Sequence, residues 1–151
     1  TTEIYTLSLH DALPIYDVSL PSYQTSGSAG LDIRATVKEP MKIEKGKIVL
    51  VPTNLSVEIP IGFEIQVRPR SGLAIKHGIG LVNSPGTIDS DFRGEIKIIL
   101  INHGEEDFIV NNGDRIAQLV LSKVYSAIIV VADSLGDTAR GTSGFGDSGV
   151  K

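Results

Sequence analysis

The chain of 151 residues contains no cysteine, which excludes a disulfide framework and any thiolate metal site. Histidine is scarce too, and His10, His77 and His103 are scattered, a poor basis for a zinc site. Long apolar runs are missing: the longest, residues 127–132, has six residues, against the ~20 that a helix needs to cross a bilayer. Basic charge is not in excess, for 14 Lys and Arg stand against 18 Asp and Glu, a net charge of −4. No whole-molecule field therefore attracts duplex nucleic acid or an anionic membrane, and an anionic ligand needs a local cationic pocket. The expected setting is cytoplasmic, with neither a membrane nor nucleic acid as partner.

What is present describes a single globular domain. Its length is one domain's worth, and 41% hydrophobic with 21% charged residues is not the composition of a disordered chain. From Lys47 onward, runs rich in Val, Ile and Leu recur every eight to twelve residues between Pro, Gly and Asn, the spacing of an all-β sandwich or barrel. Residues 63–68 alternate most clearly, with Phe63, Ile65 and Val67 on one face and Glu64, Gln66 and Arg68 on the other. Residues 55–59 alternate in the same way. Residues 95–101 and 127–131 are nearly continuous apolar runs, expected as strands covered on both faces or buried between subunits. Only residues 71–77 suit a helix, of about two turns, with Ser71 as its cap and Gly78 as its stop.

The two ends differ from the middle. Residues 7–15 read LSLHDALPI and resemble the peptide produced when sequencing-adapter DNA is translated, so residues 1–15 are expected to be non-native and are kept out of the fold. An ordinary amino-terminal strand is the alternative. The body is expected to span residues 16–132. Residues 133–151 form a Gly/Ser/Thr/Asp-rich arm: five of the 16 glycines lie in the last 16 residues, whereas all seven prolines lie at or before Pro85. By composition such an arm is flexible, yet it carries Arg140 and Phe145, one charge and one ring able to close over a ligand.

Four of the six arginines, Arg70, Arg93, Arg115 and Arg140, fall in glycine-bounded segments, where bidentate donors suit phosphate oxygens. Taken singly, each segment reads equally well as a polar turn or a capped helix. Together, Ser28-Ala29-Gly30-Leu31-Asp32, Pro69-Arg70-Ser71-Gly72-Leu73-Ala74, Gly86-Thr87-Ile88-Asp89-Ser90-Asp91-Phe92-Arg93-Gly94, Gly113-Asp114-Arg115-Ile116-Ala117-Gln118 and Arg140-Gly141-Thr142-Ser143-Gly144-Phe145-Gly146 resemble, in order, the five motifs of the trimeric deoxyuridine triphosphatases (dUTPases). The likeness covers about residues 20–149.

That resemblance implies an all-β, jelly-roll-like subunit with one short helix and a flexible carboxy-terminal arm, forming homotrimers whose sites are shared between subunits. It implies Mg²⁺-dependent hydrolysis of dUTP to dUMP and pyrophosphate, which limits uracil in DNA and supplies dUMP for dTMP synthesis. Carried onto this chain, Asp89 activates the water that attacks the α-phosphorus. Asn83 and the hairpin backbone around Gly86 and Ile88 read uracil, and Phe92, where the family usually has Tyr, lies under the deoxyribose and excludes a 2′-hydroxyl. Arg70, Ser71, Gly72 and Gln118 hold the phosphates. Phe145 stacks on uracil while Arg140, Gly144, Gly146 and Ser148 close on the phosphates. Mg²⁺ is expected mainly on substrate phosphates and water, with Asp32 and Gln118 in its outer shell, as suits an ion that dehydrates reluctantly. Two further residues, both in the arm, depart from the family pattern: Ser143 replaces a glycine, and Asp147 brings a carboxylate close to a triphosphate.

Overall fold

The computed structural model describes residues 8–11, as backbone, and residues 20–144. Its strands in chain order are β1 (Ser8–Asp11), β2 (Ser22–Tyr23), β3 (Leu31–Arg34), β4 (Met41–Ile43), β5 (Ile48–Pro52), β6 (Leu55–Glu58), β7 (Phe63–Arg68), β8 (Ile79–Leu81), β9 (Gly86–Ile88), β10 (Lys97–Asn102), β11 (Phe108–Val110) and β12 (Arg115–Lys123). One helix, α1 (Ser71–His77), links β7 to β8. The architecture is the expected all-β, jelly-roll-like one.

The largest sheet runs β2-β3-β12-β7-β9, and β5-β10-β8, β4-β11 and β1-β6 are smaller. Every pairing is antiparallel, and the neighbours are mostly distant in sequence, as in sandwiches built by long connections. The alternation at 63–68 is realised as β7, whose Ile65 and Val67 are buried. Residues 55–58 form β6, with Leu55 and Val57 inside. Ile33, Ile43, Val51, Ile98, Leu100 and Ile116 complete the middle of the single core. Fully burying such a side chain contributes about 1.5–3 kcal/mol.

Two buried polar side chains tie the small sheets together. Asn102 Nδ2 donates to the carbonyls of Ile43 (2.9 Å) and Glu106 (2.8 Å), joining the end of β10 to β4. Thr53 Oγ1 donates to the Ile96 carbonyl at 2.6 Å.

Three expectations are revised. Residues 97–102 form a strand, but an alternating one: Ile98 and Leu100 are buried, while Ile99 and Ile101 face outward with the exposed Ile48 and Leu50 of β5. Residues 127–131 form no strand; Ile128, Ile129, Val130 and Val131 are 91, 87, 77 and 95% exposed. Their hydrophobicity has no partner among the described residues. The helix cap differs as well, because the N-cap position is Arg70, in extended conformation and without a side-chain cap bond. Gly78 does stop the helix. Its φ of 66° is left-handed, and a Cβ there would stand 2.6 Å from Gly104 Cα, so no other residue makes this turn without displacing backbone.

At the amino terminus, β1 runs antiparallel to β6, with Leu9 opposite Val57.

Candidate active site

The segment after β8 builds a cavity of about 240 Å³. Gly86 pairs with Val67 and Ile88 with Ile65, so β9 closes the edge of the large sheet beside β7. Gly86 is tightly enclosed: a Cβ would lie 2.9 Å from Asn83 Nδ2 and 3.4 Å from Val67 Cβ. The missing side chain is what lets the Asn83 amide fold against the strand. Asn83, Gly86, Ile88, Asp89 and Phe92 all line this cavity, which brings together the residues expected to read the base and to activate water. Only the first arm of the expected hairpin is a strand; residues 89–92 form a turn closed by the Phe92 amide on the Asp89 carbonyl at 3.2 Å. The Phe92 ring lies on Gly94, where a Cβ would be 2.7 Å from Cζ.

Arg93 does not join the phosphate donors. Its Nη1 donates to the carbonyls of Ser90 (2.7 Å) and Phe92 (2.9 Å), and its Nη2 stands 3.8 Å from Glu58. It clasps the turn from outside. Thr87 lines the cavity from within the expected hairpin, and Val67, Glu95, Ile96 and Lys97 also line it and were not anticipated. Val67 and Ile96 supply its apolar wall, which in sequence is indistinguishable from core. Glu95 accepts the Asn54 amide at 2.9 Å and stands 3.4 Å from Lys97 Nζ.

A second group assembles on the large sheet. Register places Asp32 of β3 opposite Gln118 of β12, and Gln118 opposite Arg68 of β7, in one row across three strands. Asp32 Oδ1 accepts from Arg70 Nε at 3.2 Å, and Oδ2 accepts from Arg115 Nη1 at 3.0 Å. Arg70 Nη1 also donates to the Arg115 carbonyl at 3.0 Å, and Arg115 Nη1 reaches Gln24 Oε1 at 3.1 Å. Gln118 Nε2 donates to the Pro69 carbonyl at 3.0 Å. With side-chain exposures of 12% for Asp32, 24% for Arg70 and 37% for Arg115, two guanidinium groups surround one largely buried carboxylate. The cluster carries one surplus positive charge. Such a cluster attracts phosphate oxygens. Ser71 and Gly72 follow directly: the amides of Leu73 and Ala74 bond the Arg70 carbonyl at 3.1 Å, while those of Ser71 and Gly72 have no partner among the described residues.

None of Asp32, Arg70, Arg115 and Gln118 lines the base pocket. Gln118 lies with Gln66, Arg68, Pro69, Ser84 and Pro85 in a second hollow, and none of the base-pocket residues is there. The arm contributes nothing to either cavity among the described residues. Its residues 133–143 are exposed, and a small turn sets Arg140 Nε on the Ser143 carbonyl at 2.8 Å. Ser143, which replaces a family glycine, needs no left-handed backbone here, since Asn54 is the one non-glycine with positive φ among the described residues. Phe145, Gly146, Asp147 and Ser148 lie outside the described residues, and Gly144 ends them.

The dUTPase family model matches residues 16–149. Two proteins named deoxyuridine 5'-triphosphate nucleotidohydrolase are close relatives. That of Maricaulis maris is 54% identical over 136 residues, 89% of this chain and 90% of that protein. That of Chlamydia pneumoniae is 57% identical over 132 residues, 87% and 91% respectively. Among solved structures, a mutant Staphylococcus bacteriophage 80alpha dUTPase with dUpNHpp superposes with a TM-score of 0.84 at 22% identity, covering 96% of this chain and 99% of that one. A mutant dUTPase from phage phi11 of S. aureus, described with a structural Mg(II) ion, gives 0.77 at 19% identity over 88% and 100%. The structural likeness carries the fold; the family match over residues 16–149 and the identity with the curated relatives over nearly nine-tenths of the chain establish that this chain belongs to the dUTPase family.

Proposed function

We propose that the protein hydrolyses dUTP to dUMP and pyrophosphate, with Asp89 orienting and deprotonating the water that attacks the α-phosphorus. The observation that carries this reading is the base-sized cavity in which Asp89 sits at one side of an apolar wall, with Asn83 and Phe92 beside it. Asn83 and the β9 backbone offer donors and acceptors to a uracil edge, while the close fit of Gly86 against Asn83 and Val67 leaves a rigid wall against a 5-methyl group. Shape against one methyl is worth about 1–3 kcal/mol. The Phe92 ring, held on Gly94, occupies the room a 2′-hydroxyl needs. A carboxylate is a modest base, and positioning with electrostatic stabilisation supplies most of the acceleration in phosphoryl chemistry.

Arg70, Ser71, Gly72 and Gln118 form the phosphate end, and the arm residues Arg140, Gly144, Phe145, Gly146 and Ser148 close over the bound nucleotide. Separation of the base pocket from the arginine cluster supports a composite site, in which one copy supplies Asp89 and another the phosphate cradle. The exposed apolar residues 128–131 and the outward Ile48 and Leu50 support a homotrimer of this kind. Mg²⁺ fits this chain as an ion carried by the triphosphate: the donors at the phosphate end are cationic, and Asp32 has both oxygens on guanidinium groups. When bound, it neutralises phosphate charge during attack. Gln118 is the residue available to its water shell. Residues 16–132 form the catalytic body, residues 133–151 the closing arm, and residues 1–15 a segment the reaction does not use. No helix among the described residues is long and apolar enough to cross a membrane, in keeping with a cytoplasmic enzyme that keeps uracil out of DNA and supplies dUMP for dTMP synthesis.

Purified protein incubated with dUTP and Mg²⁺ is expected to release pyrophosphate. A rate no greater than that of Asp89→Asn overturns the assignment.

A further inference from the structure

The β-bulge in β12 turns Arg115 away from the core. Counting back from Gln118, which faces outward beside Asp32, regular alternation would put Ala117 inside, Ile116 outside and Arg115 inside. The pairing with β3 slips by one residue between Arg115 and Ala117, so Arg34 is opposite Arg115, not Ile116. Ile116 and Ala117 are consequently both buried, at 1 and 0% exposure, and Arg115 comes out on the face of Asp32 and Gln118. Bulges commonly re-aim a side chain next to a site in this way.

Once there, Arg115 acts on Arg70 twice. Its guanidinium bonds Asp32 Oδ2 at 3.0 Å while Arg70 Nε holds Oδ1 at 3.2 Å, and its carbonyl accepts Arg70 Nη1 at 3.0 Å. Arg70 is therefore fixed at Nε and at one Nη1 proton. Of its five N–H donors, three, both on Nη2 and one on Nη1, have no partner among the described residues.

Resting on the proposed dUTPase activity, we infer that Arg115 is a positioning residue: through Asp32 and its own carbonyl it orients Arg70 toward the substrate's phosphates, and Asp32 serves this clamp before any metal-bound water. Arg115 spends both Nη1 protons on Asp32 and Gln24, which holds its guanidinium against the carboxylate that also fixes Arg70.

A double-mutant cycle on the full chain tests this, using Arg115→Met and Arg70→Met, with steady-state dUTP hydrolysis and inhibition by deoxyuridine as readouts. Arg115→Met is expected to lower kcat/KM for dUTP by tenfold or more when Arg70 is present, and by less than twofold when Arg70 is already Met. Deoxyuridine, which has no phosphate, should inhibit all four proteins alike, whereas a general loss of structure would weaken it too. Asp32→Asn, nearly isosteric, serves as a second variant should Arg115→Met fold poorly, and should show the same dependence on Arg70. Equal losses in both backgrounds, or no loss in either, overturn the positioning role while leaving the dUTPase reading intact. Absence of dUTP turnover by the unaltered chain overturns both.

Discussion

The side-chain amide of Gln118 lies directly against Gly30: a Cβ on Gly30 would overlap Oε1 and stand 3.2 Å from Cδ and 3.3 Å from Cβ of Gln118. With Nε2 bonded to the Pro69 carbonyl at 3.0 Å, the amide is held from both ends and has one orientation. Two motif segments, 86 residues apart in numbering between Asp32 and Gln118, meet here because one of them has a bare Cα at Gly30.

Gly30→Ala should therefore act through Gln118. Overpacking at such a contact costs about 1–3 kcal/mol, and displacement of the amide is expected to lower kcat/KM for dUTP by about tenfold for each 1.4 kcal/mol of lost transition-state binding. Thermal unfolding and steady-state kinetics measure the two effects. Adding Gln118→Ala should restore the stability lost by Gly30→Ala without restoring activity.

Asp89→Asn keeps the volume and removes the base. The expected loss in kcat is about 10²–10⁴-fold, while affinity for a non-hydrolysable dUTP analogue changes little. Rapid pyrophosphate assays and calorimetry with the analogue check the pair of outcomes. Loss of binding equal to the loss of rate would assign Asp89 to ligand binding.

Sugar discrimination should reside in the Phe92 ring and its seat on Gly94. Phe92→Ala is expected to bring the kcat/KM values for dUTP and UTP closer together by about 1–3 kcal/mol. Gly94→Ala, which pushes the ring off its seat, should lower dUTP turnover in the native chain and have little effect once Phe92 is Ala. Competition between the two nucleotides in one assay reads this directly.

The exposed ladder of Lys42 and Asp107 predicts a pH effect on stability. Lys42 Nζ lies 3.1 Å from Glu44 and 3.2 Å from Asp107; bonding to Glu44 first, then Asp107, raises its pKa. Bonding to Lys42, then the Lys45 amide, holds the Asp107 carboxyl below the usual carboxylate range. Asp107 thus stabilises the fold above its unfolded pKa, a contribution lost as pH falls through its lower folded value; Lys42 contributes below its unfolded pKa and loses this as pH rises through its higher folded value. Asp107→Asn should lower Tm slightly at neutral pH and at low salt, and the difference should vanish in acid and shrink in high salt. Thermal melts across pH and ionic strength test the sign.

Ile129→Asp probes the apolar run that has no partner among the described residues of the subunit. Because Ile129 is 87% exposed, a carboxylate there should leave the isolated subunit's fold intact. Light scattering should nevertheless report a smaller particle and the assay a large loss of dUTP turnover. An unchanged mass would remove the role given to this segment in assembly.

Local chemistry by itself determined a good deal of this protein. Strict alternation marks β6 and β7 because a half-buried strand needs a period of two, Gly78 marks the end of α1 because only glycine takes that backbone without strain, and the five polar segments announce the dUTPase family. Other features depend on what lies opposite in space. Residues 127–131 are as hydrophobic as any core strand, yet no neighbour is available among the described residues, so composition pointed to burial without saying against what. Val67 and Ile96 look like core and also wall the cavity. Arg93 and Arg115 occupy equivalent glycine-bounded contexts, but the first clasps a turn and the second reaches Asp32, because one misaligned residue in the pairing of β12 with β3 decides which face Arg115 takes. Side-chain type is a local property and can be read along the chain; the direction and partners of a side chain are set by register between strands distant in sequence, and only tertiary structure decides those.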